Sequence, residues 1–197
     1  MPTAPFTAPE RDLLQKVGRG KSSGGTYYTI PGIAPGSSIT TRTLNAGADQ
    51  YCLWLTSTPI VVDQLAAEVA TAAGTNFRIG FYKANANWQP MGAPMADSGN
   101  LDAASTGVKT YTPSTPIFVP RGRYLSVINA DGAATLRSFP GSPVWLLDSA
   151  LGASGSVVMP RVTRAYAAFP TPGTAWDTAA VTAGVPHQVV VYRISTP

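Results

Sequence analysis

The chain has 197 residues, 12% charged and 44% hydrophobic, with 19 glycines and 18 prolines. That is enough for one domain with a sizeable core. It is too hydrophobic for a disordered chain and carries about half the usual share of charge, roughly 25%. A net charge of +4 with scattered basic residues falls short of the basic stripe of a nucleic-acid binder. One cysteine, Cys52, allows no internal disulfide. With one histidine, His187, it cannot build a His/Cys zinc site, and no Asp-rich loop has EF-hand spacing. No apolar run reaches the roughly 18 residues of a membrane-spanning helix. Nothing after Met1-Pro2-Thr3 reads as a secretory signal. The expectation is a chain with no metal, cofactor, nucleic-acid or membrane partner.

Residues 1–25 read as an arm and linker. Thr7-Ala8-Pro9-Glu10 has the spacing of a capping box, with Pro9 in the first turn, where its missing N–H costs nothing. Leu13, Leu14 and Val17 form an apolar stripe at helical spacing, ended by Gly18 and Gly20. About ten residues of helix are unstable alone in water, so this one must dock. Its partner is either its own domain or another protein. Residues 18–25 are flexible by composition.

Residues 26–197 read as strands and turns. Thr26-Tyr27-Tyr28-Thr29-Ile30 is β-branched and aromatic, and Pro31-Gly32 stops it. Tyr51 to Leu55 is a near-continuous apolar run, as in a strand buried on both faces. Ile60 to Thr71 places Leu65, Ala67 and Val69 on alternate positions. A strand is favoured there, although its Ala/Glu content also suits a helix. Phe77, Ile79 and Phe81 alternate with Asn76, Arg78 and Tyr82, the period of a half-buried strand. Val108–Thr112, Tyr124–Ile128 and Gln188–Ile194 follow as strands, with turns at Pro120-Arg121-Gly122 and Asn129-Ala130-Asp131-Gly132. Many short strands joined by Gly/Pro turns predict an all-β fold, an antiparallel β-sandwich of jelly-roll type. Residues 169–174 read as rigid loop, the kind of segment where partners are met.

No catalytic constellation emerges. His187, after Pro186, reads as structural, and no second base is available for a triad. Gly152-Ala153-Ser154-Gly155-Ser156 lacks the final glycine of a nucleophile elbow. Gly20-Lys21-Ser22 lacks the upstream glycine of a phosphate loop, having Gln15 there, and follows a helix rather than a strand. Asp63/Glu68 and Asp97/Asp102 are carboxylates of the strand region close enough in sequence to suggest an acid–base pair. Cys52, in an apolar strand, reads as an inert small hydrophobe. Tyr82, Asn85, Asn87, Trp88 and Trp176 form a candidate glycan site, since aromatic faces stack on sugars and amides bond hydroxyls. The same aromatics also suit a subunit interface.

One resemblance rests on the order of several pieces. These are Ile39–Leu44, Val62–Gly74, Phe77–Tyr82, Thr106–Lys109, Pro120–Leu125 and Asp131–Arg137. In that order they resemble a β-sandwich module of bacteriophage tail and head fibre proteins. The resemblance implies a non-enzymatic virion protein, a homo-oligomer and often a trimer, with no catalytic residues to carry over. The chain has no heptad shaft, which turns the expectation toward capsid decoration as much as tail fibre. Leu13, Leu14 and Val17 are then the virion-docking residues and other virion proteins the partners. The alternatives are a module binding a host-surface glycan for host attachment and, after it, a polysaccharide hydrolase.

Overall fold

The computed structural model describes residues 40–56, 59–140, 158–175, 182–183, 187–188 and 190–195. The arm with Leu13, Leu14 and Val17, the linker, the strand expected over residues 26–30, the segment 152–156 and Trp176 lie outside the described residues. The described residues are all-β. In chain order they form β1 (Thr40–Thr43), β2 (Ala48–Thr56), β3 (Ile60–Thr71), β4 (Asn76–Ala84) and β5 (Pro90–Asp97). There follow β6 (Leu101–Asp102), β7 (Gly107–Tyr111), β8 (Ile117–Val119), β9 (Gly122–Ala130) and β10 (Thr135–Pro140). The last are β11 (Val158–Met159), β12 (Arg161–Thr163), β13 (Thr182–Ala183), β14 (His187–Gln188) and β15 (Val191–Ser195).

Two antiparallel sheets pack face to face, and β11 and β13 form a separate small ribbon. The first sheet is organised on β3. Its one edge pairs with β7 and β8 end to end, and its other edge pairs with β15 and β10, with β1 beyond β10. The second sheet has the order β12-β2-β9-β4-β5, with β6 also on β4. The long segment from Ile60 is thus a strand. Gln64 faces Arg193 and Val62 faces Ile194, so Asp63 is an extra residue in β3. A bulge of this kind shifts the side-chain alternation by one. It lets Ile60 and Val62 before it, and Leu65, Ala67 and Val69 after it, all join the core.

The core fills the space between the sheets. Trp54, Phe77, Ile79, Phe81, Tyr124 and Ile128 come from the second sheet and meet Val62, Leu65, Val69, Leu136 and Tyr192 of the first. Trp54 stacks on Tyr124 with ring centroids 4.7 Å apart, and Phe81 meets Tyr192 edge-on at 5.6 Å. Offset and edge contacts of this sort add to the area that the rings remove from water. The Tyr192 hydroxyl is satisfied inside by Ser126 Oγ at 2.7 Å. The C-terminal strand expected over residues 188–194 is divided in two, with β14 on β10 and β15 on β3.

Two carboxylates clasp turns at one end of the sandwich. Asp131 accepts from the backbone N–H groups of Thr75 (2.8 Å) and Asn76 (2.9 Å) and from the Thr75 hydroxyl. Asp102 accepts from Lys109 Nζ and the Ala104 N–H, both at 2.8 Å, and from the Ser105 hydroxyl. Partial burial pushes the Asp131 carboxyl up, but its hydrogen bonds outweigh this and hold it below the ordinary carboxylate value. The contacts from Lys109, Ser105 and Ala104 hold Asp102 at about 2, against 3.8 for the free group. Both groups therefore contribute stability that is complete above the unfolded value and is lost as pH falls through the lowered folded values. Thermal unfolding followed by circular dichroism should show a stable plateau above about pH 5 and a falling midpoint from pH 4 to 2. Asp131→Asn should lower the midpoint at pH 7 and flatten the acid slope.

Candidate functional site

The outer face of the second sheet also carries a buried apolar cluster. Tyr51 and Leu53 of β2, Tyr82 and Ala84 of β4, and Leu125 and Val127 of β9 form a second cluster there with Phe169. This explains why the run from Tyr51 reads as buried on both faces. The cover is the chain's own segment 160–175, a strap across the sheet. β12 pairs with β2 at the strap's start. Arg164 then makes a two-pronged contact with Asp49, Nε to Oδ2 at 2.6 Å and Nη2 to Oδ1 at 2.8 Å. Asp49 is 0% exposed and also accepts from Asn129 Nδ2 at 2.6 Å. Arg164 further donates to the Ala168 carbonyl at 3.1 Å, and its guanidinium carbon lies 5.8 Å from the centre of the Phe169 ring.

The rest of the strap is held as firmly. The Phe169 N–H donates to Asp97 Oδ2 at 3.0 Å, and Asp97 is itself bridged by Arg78 through Nε (3.0 Å) and Nη2 (3.1 Å). The Tyr82 hydroxyl donates to the Pro170 carbonyl at 2.8 Å, and the Gly173 N–H donates to the Gly92 carbonyl at 3.1 Å. Gly80 is required where the Phe169 ring lies. A Cβ there would come within 2.2 Å of the Ala96 carbonyl oxygen and 3.0 Å of Phe169. The loop expected to meet partners over residues 169–174 is thus packed on its own domain.

Beyond the strap, the same face ends in the turn joining β4 to β5. Asn85 builds it. Its backbone carbonyl accepts from the Trp88 N–H (3.1 Å), and its side-chain oxygen accepts from the N–H groups of Asn87 (2.8 Å) and Gln89 (3.0 Å). Trp88 closes the turn at φ 61°. This left-handed position after a type I turn ordinarily takes glycine. A bulky residue there stores strain of about 1–3 kcal/mol, a feature that concentrates at functional sites. The indole packs partly on the second cluster. The Arg123 guanidinium lies 5.3 Å from the indole centre and donates to the Ala86 carbonyl at 2.5 Å. Opposite Arg123 in register is Leu55, 43% exposed.

Of the sequence-predicted glycan residues, the structure brings Asn85, Asn87 and Trp88 together in this turn. Tyr82 stands behind it with 0% exposure. Burial and the Asp49 carboxylate push its hydroxyl well above the ordinary value, and it serves the strap rather than an open surface. Trp176 lies outside the described residues. Sequence reasoning missed Arg123 and Leu55. Their signal was the alternation of β9 and β2, but only the pairing of those strands sets them side by side. Asp97 and Asp102, considered as an acid pair, hold Arg78 and Lys109 respectively. No group of three or more metal-ligating side chains occurs among the described residues. No family model matches the chain, and no curated protein matches it.

Breaking the Asp49–Arg164 contact leaves a buried, uncompensated carboxylate, which costs about 3–5 kcal/mol. Arg164→Ala should lose stability of that order in urea unfolding. In limited proteolysis it should also open new cleavage between residues 164 and 175, while Arg137→Ala, at an exposed ion pair, should do neither.

Proposed function

We propose that the chain is a non-enzymatic structural protein of a bacteriophage virion. In this reading its jelly-roll sandwich faces outward and its N-terminal arm, through Leu13, Leu14 and Val17, docks it on the particle. The chain works as a homo-oligomer, as a tail or head fibre component or a capsid decoration. The observation that carries the reading is how the polar groups are committed. Asp49, Asp97, Asp102, Asp131 and Glu68 each hold a neighbouring strand, turn or strap through the contacts described above or, for Glu68, through Arg137 at 3.5 Å. These groups make a stiff wall rather than a reacting site. Jelly-roll connectivity is supported by the way the chain alternates between sheets. It leaves β2 for β3 in the other sheet, returns as β4, and later fills the gap between β2 and β4 with β9. Attachment in many copies suits such a domain, because repeated weak contacts multiply.

A second reading, a module that binds a glycan on the host surface, is favoured by the strained Trp88 and its amide-built turn.

Removing residues 1–24 tests the first reading. The truncated chain should keep its β-sheet circular dichroism and its oligomeric mass by light scattering, yet fail to co-sediment with particles that lack the protein. Retained attachment, or a monomeric full-length chain, would count against it.

A further inference from the structure

We propose that the turn from Asn85 to Gln89, together with Arg123 and Leu55, binds an acidic saccharide, with Arg123 taking the carboxylate. This rests on the second reading above, that the turn binds a glycan, and adds the charge of the ligand and the residue that selects it. It holds whichever particle or surface carries the domain.

Three observations converge. The first is the placement of Trp88. The turn geometry asks for glycine, yet the chain keeps an indole there at φ 61°, in a turn that three backbone N–H groups tie to Asn85 and with the ring packed partly on the second cluster. A ring held in that way presents apolar surface without having to be ordered on binding. The second is Arg123. It is exposed, and its polar contact is the Ala86 carbonyl rather than a carboxylate. The guanidinium has five donors, so donors remain for a carboxylate after that bond. It lies over the indole ring, so the donors not spent on Ala86 open next to whatever packs against Trp88.

The third is how charge is divided along the second sheet. Asp49, Asp97, Asp102 and Asp131 are all engaged by partners elsewhere on the domain. The residues around the turn, 51–56, 82–91 and 120–127, contain Lys83, Arg121 and Arg123 and no Asp or Glu. A neutral sugar would need none of this. A sugar with a carboxylate finds a charge-assisted partner in Arg123, amide groups at Asn85 and Asn87 for its hydroxyls, and Leu55 and Trp88 for its apolar face. One guanidinium lying over an indole is also unlike the row of cations that tracks a nucleic-acid backbone.

The test uses the full-length protein on immobilised oligosaccharides bearing uronic or nonulosonic acids, each beside its carboxyl-reduced neutral counterpart. The acidic forms should be retained, and their neutral counterparts bound about ten-fold more weakly or worse, the loss of one charge-assisted contact. Arg123→Gln should weaken binding to a similar degree, with Arg123→Lys between it and the parent. Trp88→Gly, which suits the positive φ and so preserves the hairpin, should also weaken it. Arg137→Gln, which removes the same charge from the other sheet, should bind as the parent does. Equal retention of acidic and neutral forms, with no effect of Arg123→Gln, overturns the inference and leaves the glycan reading standing. Retention of no saccharide overturns both. Equal affinity for double-stranded DNA overturns the inference by reducing it to unselective charge attraction.

Discussion

The second sheet is apolar on both faces, and covering its outer face is the constraint from which much of the architecture follows. Tyr51, Leu53, Tyr82, Leu125 and Val127 would otherwise expose a contiguous apolar patch of the kind that drives association. The chain answers with residues 160–175. That segment has little regular structure and few large apolar side chains, so burial alone would not set its course. The Asp49–Arg164 contact supplies the direction. Asp49 is wholly buried, and a buried carboxylate is tolerable only with its charge and lone pairs answered. Arg164 and Asn129 answer them, and in doing so fix where the strap begins to cross. Asp97 repeats the device at the middle, linking Arg78 of the sheet to the backbone of Phe169.

This gives the domain three layers where a plain sandwich has two. The inner core, centred on Trp54, Tyr124, Phe81 and Tyr192, joins the sheets. The outer cluster joins the second sheet to the strap. The two share strands β2, β4 and β9, whose alternate residues point into one or the other. A change on either face of those strands therefore reaches both cores through the same backbone. Tyr82 shows the coupling. Its ring belongs to the outer cluster, its hydroxyl holds Pro170, and its neighbours Phe81 and Lys83 lie on the opposite face of β4.

Strand periodicity was readable along much of the chain. Phe77, Ile79 and Phe81 sit inside as their alternation implies, and the run from Tyr51 is buried on both sides as far as Trp54, with Leu55 at its end exposed. Ile60 to Thr71 is a strand whose Ala/Glu content had left a helix open. Its bulge at Asp63 was invisible, because an extra residue is defined only by what it fails to pair with. For the same reason the last strand read as one piece although its halves pair with different partners. The course of the strap was hidden for a different reason. It has no period, and Asp49 and Arg164 lie 115 residues apart with no local pattern to link them. Of the candidate site, Asn85, Asn87 and Trp88 were legible as a polar loop bearing an aromatic. The left-handed backbone at Trp88 and the approach of Arg123 needed the strands to be assembled.

The same assembly bears on how attachment and recognition fit together in the proposed readings. A single turn with one guanidinium, one indole and a few amides gives weak contact with a sugar, since binding must first offset lost translational and rotational freedom. Such a site becomes effective only when many copies face one surface, where linked weak contacts raise overall affinity by orders of magnitude. A domain whose carboxylates are committed to stiffness suits that arrangement. A rigid wall holds every copy's turn at a fixed height and angle, so that a second contact follows a first without a further ordering cost. The strap keeps the apolar face covered, so that on the proposed readings copies crowded on a lattice would meet through other contacts than exposed Tyr and Leu side chains. On the proposed readings, rigidity, multivalency and a weak acidic-sugar contact would be three parts of one design, since a flexible domain bearing the same turn would gain little from being displayed in number.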